Sequence, residues 1–219
     1  IVCAPAMSDR LAAAIQLAPQ QYREPLIQTL DRFQIKNPTE FRATVYYESD
    51  YLTNLSENLN YTCDALLKRF KRTRISYAEA MKYGRNPPKP AYQEAIANCI
   101  YGGKWGVENL GNFQPGDYLP GDGWHYRGQG PIQLTGRAAW EEYGKFLNRE
   151  DVACNPFIVL ADPLLTCLSS GWFWSKFKKL DQYGSDMRAI TKKVTGASDT
   201  AIKTRMAYQS RVQQLILSA

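Results

Sequence analysis

Gly121-Asp122-Gly123-Trp124-His125-Tyr126-Arg127-Gly128-Gln129-Gly130-Pro131-Ile132-Gln133-Leu134-Thr135-Gly136 is the stretch on which the reading of this chain turns. It closes a longer region, residues 102–136, that holds ten glycines, three prolines and two tryptophans. So many turn residues predict a long structured loop, and a loop of that length inside a compact domain is usually functional. A helical pattern follows over 137–147, and Thr135 is placed to cap it.

Outward from this region the chain reads as helices. Asn37-Pro38-Thr39-Glu40 is a strong helix start: Asn caps, Pro suits the first position and Glu reaches back from the third. Phe41 and Val45 then give an apolar face running toward Tyr46, Tyr47 and Glu48. Ser76-Tyr77-Ala78-Glu79 is a second capping box, and Asp162-Pro163 a third helix entry. Leu11 with Ile15, and Leu26 with Leu30 and Phe33, suggest one or two amphipathic helices upstream. Residues 163–177, 186–194 and 199–217 are further helices, whereas the polar stretch 54–61 reads as extended. The expected class is therefore mainly α with a small extended segment.

Composition sets the frame. The 219 residues are 44% hydrophobic and 22% charged, which suits one catalytic-sized globular domain over 1–219 and excludes disorder. No run of about 18 apolar residues exists, so stable membrane insertion is not expected. Residues 1–6 read as extraneous or as the edge of a longer chain, and they lack the basic flank of a secretory signal. The compartment expected by default is the cytoplasm. Cys3, Cys63, Cys99, Cys154 and Cys167 are irregularly spaced, and His125 is the only histidine. Buried reduced thiols are expected, with no metal site and no cofactor. A net charge of +6 favours an anionic partner. The one basic run, Lys68-Arg69-Phe70-Lys71-Arg72-Thr73-Arg74, reads as a solvated face. No nucleic-acid motif accompanies the charge.

Two glutamates are candidates for acid–base work. Cleaving a glycosidic bond takes one carboxylic acid to protonate the leaving oxygen and a second carboxylate to activate water or attack carbon. Glu48 lies at a predicted helix end among Tyr46, Tyr47 and Tyr51, in the partly desolvated kind of setting a general acid uses. Glu57 follows nine residues later. On one continuous helix that spacing puts the two on opposite faces. They face each other only if the chain turns near Ser49-Asp50 and returns extended.

The glycine-rich run closely resembles the signature of glycoside hydrolase family 19, which includes plant chitinases and many bacteriophage endolysins. Other segments match in order. Tyr47-Glu48-Ser49 resembles the family's segment around the catalytic acid, and Glu57-Asn58-Leu59-Asn60-Tyr61 that of the endolysin branch. Ala95-Ile96-Ala97-Asn98 with Tyr101, Ser170-Gly171-Trp172-Phe173-Trp174, and Arg205 with Tyr208 match later helices. The likeness spans roughly residues 37 to 212. It implies a lysozyme-like, two-lobed helical fold with an extended segment beside the cleft, and inverting hydrolysis of β-1,4-linked amino sugars. By the same likeness Glu48 is the acid, Glu57 the base, and Thr135 a hydroxyl that holds the water. Gln133 and Tyr126 match sugar-binding positions, and Arg205 an arginine that supports the acid. Trp124, with Trp105, is a candidate sugar platform, while Trp172 and Trp174 read as core. Inversion implies carboxyl groups ~6.5–9.5 Å apart.

The departures from the family pattern are local: Tyr47 for a histidine, Asp50-Tyr51 for two glycines, Gln129 for an arginine, and Thr195-Gly196-Ala197 for Asn-Gly-Gly. The expected protein is a monomeric endolysin that hydrolyses peptidoglycan. It is made in the host cytoplasm and reaches the wall once a separate protein permeabilises the membrane. A chitinase on the same fold is the near alternative, and a non-catalytic wall-binding protein the distant one.

Overall fold

The computed structural model describes residues 14–113, 121–196 and 199–218. Leu11, residues 1–6 with Cys3, and Ala197 lie outside the described residues. In chain order the helices of the described residues include α1 (Gln20–Phe33), α2 (Pro38–Ser49), α3 (Cys63–Arg69), α4 (Tyr77–Tyr83), α5 (Gln93–Ile100) and α6 (Gly103–Leu110). After them come α7 (Asp122–His125), α8 (Arg137–Leu147), α9 (Glu150–Cys154), α10 (Pro163–Trp172), α11 (Met187–Thr195) and α12 (Asp199–Ser218). The fold is mainly α. Among the described residues, β pairing is limited to isolated bridges such as Ser56 with Gln129 and Gln129 with Leu134. The chain divides into two compact units, one of residues 1–55, 130–133 and 159–219, the other of 56–129 and 134–158.

The first unit is built around α2. Phe41, Ala43, Val45 and Tyr46 are fully buried, and so are the polar Arg42 and Thr44 between them. A helix buried on all sides must satisfy its polar side chains locally. Thr44 Oγ1 donates to Glu40 O at 2.9 Å and Arg42 Nε to Pro38 O at 3.0 Å. The Tyr46 hydroxyl donates to Ala14 O at 2.9 Å, and burial pushes this phenol up to about 12. Trp174, fully buried, meets Phe41 edge-on at 5.4 Å, as the core reading of the aromatic stretch expects. α12 packs on α2, and α10 on α1.

One cap differs from expectation. Pro38 does open α2, but the Asn37 side chain makes no cap bond. Its Nδ2 donates instead to Asp181 O at 3.0 Å, and Asp181 also accepts the Trp174 indole N–H at 2.8 Å. The Asn37 amide is thus oriented by a tertiary contact made through its donor end instead of capping through its oxygen, and Glu40 accepts from Gln213 rather than reaching back.

The second unit has its core in Leu59, Leu66, Ile75, Ala80, Ile96, Ala97 and Ile100. The Ser76 capping box forms as read: Glu79 N–H donates to Ser76 Oγ at 3.2 Å and Ser76 N–H to Glu79 Oε2 at 2.7 Å. Residues 54–61 form no helix, and Ser56 bridges Gln129. Tyr61 N–H turns back to Leu59 O at 2.8 Å and Asn60 N–H to Asn58 Oδ1 at 2.9 Å, so only the first part is strand-like. Buried Leu59 donates its N–H to Gln93 Oε1 at 3.0 Å. The glycine-rich region is not loop throughout, since it contains α6 and α7. Its glycines serve contact as well as turning: a Cβ on Gly123 would stand 2.4 Å from Ala97 O and 2.8 Å from Asn98 Cα, so α7 lies directly on α5.

The four described cysteines are free thiols. Cys63 and Cys167 are buried as expected, but Cys154 is exposed.

Candidate active site

Glu48 sits in the last turn of α2, where the helix ends abruptly. Asp50, Tyr51 and Leu52 all take left-handed conformations, with φ of 47, 56 and 63°. Each such non-glycine residue costs about 1–2 kcal/mol, so the turn must be over-determined by its surroundings. Leu52 is 2% exposed, its N–H donates to Ser49 Oγ at 2.8 Å, and Tyr51 and Asn54 N–H groups return to Tyr46 O and Ser49 O at 2.9 and 2.8 Å. The chain thus turns at Asp50–Leu52, next to the Ser49-Asp50 position read from the sequence.

The side chain of Glu48 is 14% exposed, and its Oε1 accepts a hydrogen bond from Arg205 Nη2. Arg205 comes from α12, whose register is set by buried Ile202, Gln209, Val212 and Ile216. Thr191 Oγ1 of α11 donates to Gln209 Oε1 at 2.6 Å and fixes that register further. The Arg205 guanidinium also lies 4.6 Å over the Tyr47 ring, which meets Tyr208 edge-on at 4.8 Å. Tyr47, where the family carries a histidine, is therefore part of the clamp on Arg205.

In the second unit Glu57 is held at both ends. Its N–H donates to Gly128 O at 2.9 Å, and Gly128 N–H donates back to its Oε2 at 3.1 Å. Oε1 accepts the Tyr101 hydroxyl at 2.6 Å. Burial, together with the adjacent carboxylate, raises the Tyr101 phenol well above its ordinary range, so it remains a donor at every working pH. The positive charges of Arg74 and Arg127 both bear on Glu57. Burial pulls both guanidinium pKa values down from their ordinary range. Arg74 lies 3.6 Å over Trp105, and Arg127 3.6 Å over Trp124.

The remaining candidates lie along the glycine-rich run. Trp124 is half-buried, packed on the unit's core, and its backbone N–H donates to Asn98 Oδ1 at 2.9 Å. One face of its indole is taken by Arg127, as one face of Trp105 is by Arg74. Tyr126 is only 3% exposed, its ring under the Arg137 guanidinium at 4.8 Å. Gln133 is half-buried at a left-handed φ of 55°, and its Nε2 donates to Gly130 O at 3.0 Å. Thr135, half-buried, follows Leu134, whose backbone pairs with Gln129. The cap of α8 is Gly136, at φ 97°, not Thr135. His125 Nε2 lies 2.6 Å from Cys154 O, a structural contact.

Tyr101, Arg74 and Arg127 had no site role in the sequence reading. Tyr101 and Asn98 are three residues apart, so they share one side of the end of α5, and that spacing was the available signal. Arg74 was hidden in the basic run. Lys68, Arg69, Lys71 and Arg72 are exposed as a solvated face should be, but Arg74 turns inward among aromatic rings.

No protein-family model matches the chain. A glycosyl hydrolase family 19 domain-containing protein of Haemophilus influenzae is 31% identical over 156 residues, 71% of this chain and 68% of that protein. An acidic endochitinase of Solanum chilense is 38% identical over 50 residues, 22% of this chain and 20% of that one. Among solved structures, chitinase C from Streptomyces griseus aligns with a TM-score of 0.58 at 16% identity, covering 96% of this chain and 91% of that chain. A bacterial family 19 chitinase aligns at 0.56 and 14% identity, covering 95% and 93%. At those identities the structural likeness speaks for the fold alone. The relative from Haemophilus influenzae, matched at 31% over more than two thirds of both chains, decides the matter: this chain belongs to glycosyl hydrolase family 19.

Proposed function

We propose that the protein is an inverting glycosidase that cuts β-1,4 bonds between the amino sugars of peptidoglycan, in the manner of a bacteriophage endolysin. Glu48 delivers the proton to the leaving oxygen, and Glu57 takes the proton from the attacking water. Thr135 helps hold that water, Arg205 orients Glu48, and Gln133, Tyr126 and Trp124 bind sugar. The observation that carries this reading is the fixation of Glu57: Tyr101 and Gly128 occupy one lone-pair direction on each oxygen, so the carboxylate is held in one orientation while retaining acceptor capacity. The segment Glu57-Asn58-Leu59-Asn60-Tyr61 and the net charge of +6 support a wall polymer over neutral chitin. The enzyme would accumulate in the host cytoplasm and reach the wall after a separate protein opens the membrane.

A chitinase is the second reading, favoured by the endochitinase relative. Turbidity loss of permeabilised bacteria, set beside release of chito-oligosaccharides, separates the two, and activity on chitin alone defeats the first. Mass spectrometry of the digested wall identifies the new reducing end. Glu48→Gln and Glu57→Gln should each lower the lytic rate about 10²–10⁴-fold. Lysis that survives Glu48→Gln removes the carboxylate mechanism.

A further inference from the structure

In the unit that carries Glu57, a cavity of about 390 Å³ opens among Arg72, Arg74, Glu79, Cys99, Gly102 and Gly103. Its size falls in the range of small-ligand pockets. The two arginines come from one tight turn, closed by Arg74 N–H donating to Lys71 O at 2.8 Å and anchored by fully buried Ile75. Both are fixed before any ligand arrives. Arg72 Nη2 donates to the carbonyls that end α3, including Leu67 O at 2.6 Å and Phe70 O. Arg74 Nε donates to Ile100 O at 2.7 Å.

Among the described residues neither arginine forms an ion pair. Glu79 is the acid in the lining, and its carboxylate is committed to Ser76 at the start of α4, which holds it below the usual carboxylate range. Burial, with Glu79 beside it, pushes the Cys99 thiol up to about 12, so it carries no charge. The lining is thus net positive, with guanidinium N–H groups left over and Arg74 partly desolvated. Planar guanidinium groups in such a place match a carboxylate.

We infer that this cavity binds a free carboxylate of the short peptides carried by wall glycan. The inference rests on the proposed peptidoglycan substrate and deepens it, because chitin offers no such group. The cavity also adjoins the catalytic carboxylate's support, since Arg74 lies 5.7 Å over the ring of Tyr101, whose hydroxyl holds Glu57.

The test uses the whole protein and N-acetyl-D-alanyl-D-alanine as probe, against its C-terminal amide and inorganic phosphate. Amide resonances of Cys99, Gly102 and Gly103 should shift with the free acid at millimolar concentration and roughly tenfold more weakly with the amide. Thr73 lines the cavity, is exposed and sits in the turn, so Thr73→Asp adds a repelling charge without disturbing the core. It should abolish the shifts and lower the ratio of kcat/KM on wall to that on chito-oligosaccharide several-fold. Equal binding of acid and amide, equal binding of phosphate, or an unchanged ratio in Thr73→Asp overturns the inference. Binding of the acid by a protein that cuts only chitin would sink the proposed function and leave the pocket standing.

Discussion

At Glu57 a single side-chain hydrogen bond separates a positioned carboxylate from a mobile one. Tyr101→Phe removes the 2.6 Å bond to Oε1 while keeping the ring in its buried place. A hydrogen bond to a charged group contributes about 1.5–3 kcal/mol, so kcat should fall at least tenfold with KM little changed. A proportional rise in KM instead would mark Tyr101 as a sugar contact. Gln129 presents the opposite case: it is fully buried, and among the described residues neither amide atom has a hydrogen-bond partner. Its strand-like pairing with Leu134 is made by backbone alone, at 2.9 and 3.2 Å. Gln129→Met should therefore raise stability by about 1 kcal/mol, read as a higher denaturant midpoint with unchanged slope. The sequence showed Gln129 as a departure from the family arginine but gave no sign of its isolation. The turn after Glu48 was legible, because the nine-residue spacing to Glu57 called for one near Ser49-Asp50 and the chain turns at Asp50, Tyr51 and Leu52. Asn37 was misread because its partner, Asp181, lies 144 residues away.

Among the elements, the helices with local signals were the ones foreseen. Ser76 and Asp162 cap as read, since both accept from N–H groups within three residues of themselves. α6 and α7 were taken for loop because glycine lowers helix propensity by about 1 kcal/mol per residue. What sustains them is tertiary: α6 packs on α8, and α7 lies on α5 through Gly123. Gly123→Ala puts a methyl group against backbone atoms that cannot rotate away. It should destabilise the protein by about 1–3 kcal/mol, more than any gain in helix propensity returns. A thermal melt settles the sign. Because Trp124 follows directly, is tied to Asn98 by its backbone N–H and packs its ring on the core, its fluorescence should shift in the same variant. A melting temperature that does not fall would mean α5 and α7 slide apart freely.

Over the whole molecule, 27 basic residues stand against 21 acidic ones, and a chain with this excess approaches a polyanion faster than a neutral polymer. If peptidoglycan is the substrate, that attraction acts between exposed charges, which salt screens: the Debye length falls from about 10 Å at 0.1 M to about 3 Å at 1 M. Raising salt from about 0.05 to 0.5 M should then lower kcat/KM on purified wall roughly tenfold, mainly through the association rate. Uncharged chito-oligosaccharides provide the internal control, because the same salt acts on the same fold and the same carboxylates. Their turnover should change less than about twofold, as ionic strength has no substrate charge to screen. Parallel loss on both substrates would place the salt effect in the enzyme rather than in the encounter. Insensitivity on both would show that the basic surface has no part in substrate capture, and with it would go the main physical ground for preferring a wall polymer to chitin.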